Sequence, residues 1–172
     1  DAPALTSPDT VLTYRELDER SDRLALGLIR AGLVPGDPVI FQTGTEVETV
    51  VALYGVLKAG LVPVCSIPNP RFHEVSVIAG ATGAAAHLFQ ADYRSYDLAA
   101  LSGDLAERCP QIRTRIVVRG TAPGAVTLDD LLADDAAEAR RAVDEVQAAL
   151  DPEGIAVFQL SGGTTGVPKI IP

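Results

Sequence analysis

The chain has 172 residues, enough for one domain or slightly more that buries roughly 70% of the surface its unfolded form exposes, so a core needs neither disulfides nor metal. Hydrophobic residues make up 47% of it and aromatic residues only 5%, which implies a core of Ala, Val, Leu and Ile in closely packed layers. Fourteen basic against 23 acidic residues give a net charge of -9, which disfavours non-specific attraction to nucleic acid or anionic membranes and requires that an anionic ligand be held locally.

In chain order, TYRELDERSDRLALGLIRAG begins at Thr13, where Thr13 and Glu16 match a capping box. Tyr14, Leu17, Leu24, Leu28 and Ala31 fall on one face, and Gly32 ends the helix. After the turn VPGD, Val39 to Thr43 reads as a buried strand. EVETVVALYGVLKAG follows as a helix apolar on most sides, with Val47, Val50, Val51, Tyr54 and Leu57 at helical spacing, and is expected to be sandwiched. Leu61 to Ser66 reads as a strand whose Pro63 argues for an edge or irregular position.

IPNPRFHE leads into a helix near Glu74 to Gly80, AAHLFQ makes a strand, SYDLAALSGDLAERC a helix and RIVVRG another strand. This alternation predicts an α/β fold: a layered, mostly parallel sheet flanked by helices. Residues 1 to 120 are read as the α/β subdomain and 121–153 as a surface excursion, because the apolar face of VTLDDLLA and of the helix at Ala136 to Ala149 is thin. Residues 154–172 are read as a buried strand, Gly154 to Leu160, followed by a phosphate-binding loop.

Several residues are set aside. Cys65 and Cys109 lack metal or disulfide spacing and are read as free thiols of a reducing cytoplasm. His73 and His87 have no partner nearby in sequence and are read as structural or surface residues. Arg71 is divided between a functional and a solvated reading. Asp129-Asp130 and Asp134-Asp135 read as helix starts and surface charge rather than a metal site. No apolar run reaches the ~20 residues of a membrane span, and the N-terminal stretch has no signal core, so the expectation is a cytoplasmic protein without membrane or nucleic-acid partners. Methionine is absent, even at position 1, so the chain is expected to be an excerpt of a longer polypeptide.

The chemistry concentrates in FQLSGGTTGVPKIIP, Phe158 to Pro172. Consecutive small residues let backbone N–H groups converge on an anion, Ser and Thr hydroxyls add donors, and Lys169 adds charge, so a polyphosphate is the natural guest. The GxxxxGK[ST] loop of common nucleotidases is not satisfied, because Val167-Pro168 separates the last glycine from Lys169. A flexible linker is the alternative reading, opposed by the apolar stretch before and the Pro-Lys after.

SGGTTGVPK resembles the signature phosphate loop of the adenylate-forming superfamily: acyl-CoA synthetases, peptide-synthetase adenylation domains and luciferases. LTYRELDERSDRLALGL, VPGD and GVLKAGLVPV resemble that family's N-terminal region in the same order, so nearly the whole chain is covered. Ile170, Ile171 and Pro172 after the loop lysine look closest to stand-alone aryl-acid AMP ligases, such as those activating salicylate or 2,3-dihydroxybenzoate for siderophores. Those ligases usually carry a small residue, His and Arg where this chain has Asn69, Pro70 and Arg71.

The resemblance implies ATP-dependent activation of a carboxylic acid as an acyl-adenylate with release of pyrophosphate, then transfer to the thiol of CoA or of a carrier protein's phosphopantetheine. It implies a cradle of Ser161, Gly162, Gly163, Thr164, Thr165 and Gly166, with Lys169 as its cation and Thr165 as a helper for phosphate or Mg²⁺. The acid pocket and the family's catalytic lysine would lie in the remainder of the polypeptide, and this part alone is expected to be inactive. Other acyl-CoA or fatty-acyl ligases of the superfamily, a non-catalytic nucleotide-binding module, and a structural domain ending in a linker are the alternatives.

Overall fold

The structure, a computed structural model, describes residues 2–93, 96–161 and 169–172. Strands β1 (Pro3–Thr6) and β2 (Val11–Thr13) form a separate antiparallel pair, closed by a turn in which the Ser7 N–H donates to the Thr10 carbonyl at 2.8 Å. Helix α1 (Tyr14–Arg30) follows directly. Its capping box forms as the sequence predicts: the Glu16 N–H donates to Thr13 Oγ1 at 3.2 Å and the Thr13 N–H to Glu16 Oε2 at 2.8 Å. Those bonds hold the Glu16 carboxyl below its ordinary pKa. Gly32, with φ of 87°, carries the turn that leaves the helix.

The expected single apolar face of α1 is corrected by the packing. Tyr14 and Ala31 are exposed, whereas Ser21, Asp22 and every residue from Leu24 to Leu28 are buried. The C-terminal half of α1 therefore lies between two neighbours and buries nearly its whole circumference. One neighbour is α2 (Val47–Lys58), which follows strand β3 (Pro38–Gln42). A Cβ on Gly55 of α2 would come within 2.7 Å of the Leu24 side chain, so the missing side chain is what lets the two helices close.

Strand β4 (Val62–Ser66), α3 (Phe72–Thr82), β5 (Ala86–Gln90), α4 (Leu98–Arg108), β6 (Thr114–Arg119), β7 (Val126–Thr127), α5 (Leu128–Leu131), α6 (Ala136–Ala149), β8 (Phe158–Ser161) and β9 (Lys169–Ile171) complete the order. Seven strands make one sheet, β7-β6-β5-β3-β4-β8-β9, parallel throughout except for the β8–β9 pair. The chain runs outward from β3 to β4, crosses back to β5 and continues to β6 and β7, the winding of a doubly wound sheet. The main core, with Val39, Phe41, Leu88 and Ile116 from the strands, packs beneath α1 and α2. The opposite face, with Ile40 and Val64, packs on Val75 and Ile78 of α3 and Leu105 of α4.

Pro63 is not at an edge, since β4 lies between β3 and β8. Donor directions alternate along a strand. The Val62 N–H turns to β3 and donates to the Asp37 carbonyl, so the Pro63 nitrogen turns the other way, where pairing with β8 begins only at Val64. The missing donor thus falls just before there is a partner to lose.

Residues 121–153, expected as a surface excursion, seat firmly on the domain. Leu128, Leu131 and Val143 join the main core, β7 extends the sheet, and Ala133 and Ala139 pack with Leu26 of α1. The physical reason is small side chains: a narrow apolar stripe suffices where α1 presents Gly27, whose Cβ position is taken by the backbone of Leu131. Around this seam the buried Asp22 carboxylate meets Lys58 Nζ at 2.6 Å and Arg140 at 3.4 Å. Asp18 shares both cations.

Candidate functional site

Open parallel sheets take ligands at the carboxyl ends of their strands, and a ligand crevice is expected where the winding reverses, here between β3 and β5. That crevice is filled by the protein's own polar side chains. Gln90, buried at the end of β5, accepts from the Gly44 N–H at 2.9 Å and donates to Asp92 at 2.8 Å. Arg119 at the end of β6 meets Glu46 at 2.7 Å and Asp92 at 3.5 Å. These bonds tie the β3–α2 loop to β5 and β6 and leave each charge paired.

On the other side of β3, Gln42 is fully buried and its Nε2 donates to the Pro70 carbonyl at 3.0 Å, while its Oε1 lies 3.0 Å from His87 Nε2. His87, left open between a structural and a surface role by the sequence, is wholly buried and stacked on Phe89 with ring centroids 5.3 Å apart. Burial, with a smaller contribution from the nearby Arg115 charge, pushes its pKa down to about 3. The unfolded chain then binds a proton that the folded one refuses, so His87 contributes stability that is whole above about pH 6.5 and declines as pH falls toward about 3. Replacing His87 with Phe is therefore expected to flatten the loss of stability between about pH 6 and 4. Urea midpoints measured at half-unit pH steps check this, and an unchanged slope refutes it.

At the outer side of β4 lies the hairpin that carries the expected phosphate loop. Ser161 ends β8, Lys169 begins β9, and the two are directly paired in the antiparallel register. Directly opposed residues share a face, with Cβ atoms about 5 Å apart, so the Ser161 hydroxyl and the Lys169 stem project together, away from Phe158 and Leu160, which pack on the α3 and α4 side. Lys169 is exposed and has no ion-pair partner among the described residues. Gly162, Gly163, Thr164, Thr165 and Gly166 lie outside the described residues.

Two expectations change here. Gly154 to Leu160 is not a buried strand: pairing starts at Phe158, and Gly154 and Ile155 are exposed, because β8 touches β4 over only Val64 and Cys65. The segment from Lys169, read from sequence as part of the phosphate-binding loop, is a strand over Lys169–Ile171 that returns beside β8.

A cavity of about 620 Å³, lined by Gly36, Gly60, Leu150 and Ile155 among others, opens at the amino ends of β3 and β4, away from this hairpin. No group of three or more His, Cys, Asp or Glu side chains among the described residues gathers as a metal centre. Cys65 and Cys109 are free, and burial raises the Cys65 thiol pKa. None of the helices among the described residues is long and apolar enough to cross a membrane.

The description of AMP-binding enzymes matches residues 1–172, the full length. The chain belongs to the AMP-binding enzyme family. A salicylyl-CoA synthase / salicylate adenylyltransferase from a Streptomyces species is 38% identical over 174 residues, covering 99% of this chain and 31% of that protein. The vibriobactin-specific 2,3-dihydroxybenzoate-AMP ligase of Vibrio cholerae is 34% identical over 175 residues, covering 99% of this chain and 30% of that protein. The apo structure of Mycobacterium smegmatis MbtA superposes with a TM-score of 0.81 at 32% identity, covering all of this chain and 30% of that one. The chain thus spans under a third of the length of these relatives. The mostly parallel, helix-flanked sheet is that of adenylate-forming enzymes, and the family is one of acid–AMP and acid–CoA ligases.

Proposed function

We propose that this family member is the N-terminal part of an ATP-dependent ligase that activates an aryl acid as its acyl-adenylate, releases pyrophosphate and passes the acyl group to a thiol. The observation that carries this is the Ser161–Lys169 pair, set face to face at the mouth of a loop whose sequence is the family's phosphate signature, in a chain similar throughout to aryl-acid ligases. An exposed ammonium with no carboxylate partner among the described residues suits a polyphosphate in a protein of net charge -9.

In this reading Ser161, Gly162, Gly163, Thr164, Thr165 and Gly166 cradle the β- and γ-phosphates and Lys169 neutralises charge building on the departing pyrophosphate. Holding the polyphosphate also aligns the α-phosphate for attack by the carboxylate oxygen. Mg²⁺ would arrive with ATP and supply further charge neutralisation, with Thr165 as its protein contact. One relative is named for a CoA product and another for an S-ArCP product, which supports CoA or a carrier protein as the acceptor; in this reading the thiol is that of CoA or of the carrier's phosphopantetheine, and the setting is the cytoplasm, where ATP is supplied. Siderophore or related secondary-metabolite assembly is the corresponding role.

The test is acid-dependent exchange of labelled pyrophosphate into ATP by the intact protein. Salicylate or 2,3-dihydroxybenzoate is expected to drive exchange at least about tenfold above the acid-free rate, a modest share of what positioning and charge stabilisation supply. A response to fatty acids alone would move the assignment to another acyl ligase. ATP binding with no exchange for any acid would leave a nucleotide-binding module and defeat the proposal.

A further inference from the structure

The buried chain from His87 to Pro70 has a fixed polarity. The Pro70 carbonyl accepts only, so the Gln42 atom that faces it must be the amide nitrogen, and Oε1 is left toward His87. His87 must then donate from Nε2, leaving Nδ1 as a lone pair, and that atom is buried without a partner among the described residues. Moving the proton to Nδ1 would set two acceptors against each other at Gln42 or turn the amide and release Pro70. Only one tautomer keeps both bonds. The lowered pKa of the ring, about 3, keeps it neutral across working pH, and the stack on Phe89 fixes its plane.

What this chain holds is the loop 67–71, which runs from the end of β4 into α3. In the parallel register Val64 pairs with Phe158 and Cys65 with Gln159. β4 ends at Ser66 and β8 at Ser161, so loop 67–71 and the phosphate signature leave the same, carboxyl ends of neighbouring parallel strands. Ile67 is 63% exposed, so the loop is not held there by burial of that side chain. From its far end, the Arg71 guanidinium reaches over the Tyr96 ring at 5.4 Å and the Arg71 backbone N–H donates to Glu74 at 3.1 Å. The contact from beneath is Gln42.

We propose that His87 and Gln42 are positioning residues: the imidazole selects the orientation of the Gln42 amide, and the amide fixes the Pro70 carbonyl, and with it loop 67–71, beside the mouth of the phosphate loop. This rests on the ligase reading above. The two side chains touch no reacting atom; they act from inside the sheet by setting the wall against which the polyphosphate is held. An anchor at the Pro70 carbonyl also explains how Asn69-Pro70 is accommodated, since Pro70 contributes only its carbonyl and needs no donor.

The test compares the intact protein with His87→Phe, His87→Gln and Gln42→Met. Phe preserves the stack on Phe89 without a donor, Gln preserves a donor, and Met preserves length without either polar atom. In pyrophosphate exchange, His87→Phe and Gln42→Met are expected to raise KM for MgATP about three- to tenfold, the range of one lost buried hydrogen bond, with His87→Gln within about twofold of the parent. Without substrate, amide hydrogen exchange at Ile67, Asn69 and Arg71 is expected to quicken by a similar factor in the first two variants only. A merely structural role would lower the active fraction and the melting temperature and leave KM alone, which would overturn the proposal. Unchanged loop exchange would overturn it equally, as would faster loop exchange with an unmoved KM. If the parent protein exchanges pyrophosphate with no acid, the ligase reading fails, and the loop exchange alone decides whether His87 and Gln42 anchor the loop.

Discussion

Replacing Lys169 with alanine is expected to lower acid-dependent pyrophosphate exchange about 100-fold while shifting stability by less than about 0.5 kcal/mol. The first figure follows from the proposed reading, in which Lys169 meets charge developing in the transition state: donors aimed at a developing anion are worth about 10²–10³ in rate. The second follows from the residue's setting. Lys169 is exposed, stands at the start of an edge strand and has no ion-pair partner among the described residues, so its removal strands no opposite charge there. Backbone pairing with Ser161 is kept by alanine. Lys169→Arg is expected to recover part of the rate, because charge returns but the compact ammonium does not. Exchange kinetics and a melting curve on the same preparations check both halves. Parent-like exchange in the alanine variant would remove Lys169 from the phosphate site, and a large fall in melting temperature would recast it as structural.

The largest stability effect is expected inside α1. Gly27→Ala should destabilise the protein by at least about 3 kcal/mol, lowering a urea midpoint by about 1–2 M. A Cβ at this position would overlap the Leu131 carbonyl oxygen and stand 2.7 Å from its carbonyl carbon, both backbone atoms that cannot rotate aside. Nor can the segment drift away cheaply. The Ala133 N–H donates to the Arg23 carbonyl at 3.3 Å, and Arg23 Nε donates back to the Ala133 carbonyl. Opening the seam enough for a methyl group would loosen both and uncover Leu131 and Leu128 of the main core. Gly80→Ala is the matched control: it lies within α3 with open space at the Cβ position, and is expected to gain about 0.5–1 kcal/mol. Equal midpoints for the two variants would refute the close approach of α1 to Leu131.

How much of this fold is legible in the amino-acid sequence depends on the range of the interaction. Local signals read through well. The Thr13–Glu16 capping box and the helix Ala136–Ala149 stand where their sequences put them, because caps and helical spacing are settled within a turn or two. The alternation of strand and helix from Val39 to Arg119 is enough to specify the layered parallel sheet. What does not read through depends on partners distant in sequence. Pro63 looks like an edge residue because β8, which joins a residue later, comes from nearly a hundred positions down the chain. PALT and VLT are too short to be read as strands alone, although SPDT between them is a turn signal that points to the β1–β2 pair. Gly27 and Gly55 inside helical patterns are the available hint that α1 is approached closely on two sides.

The candidate site divides the same way. Its composition is what suggests a phosphate loop with Lys169, since that chemistry is carried by consecutive residues, of which Gly162 to Gly166 lie outside the described residues. His87 and Gln42 are separated by 45 positions and carry no motif, so only the pairing of β3 with β5 brings them together. The antiparallel return of β9 is likewise hidden, because three residues, Lys169–Ile171, hold too little pattern to show a strand.

That return has a bearing on how such a loop evolves. With Ser161 and Lys169 joined across the hairpin, the ends of the seven-residue stretch between them in sequence are fastened by β8 and β9. Lengthening the stretch by two residues would cost only about 0.2 kcal/mol in closure entropy. The sheet is therefore nearly indifferent to insertion or deletion at this spot, and in the proposed reading the length of the stretch is left for selection to match to the polyphosphate it would hold.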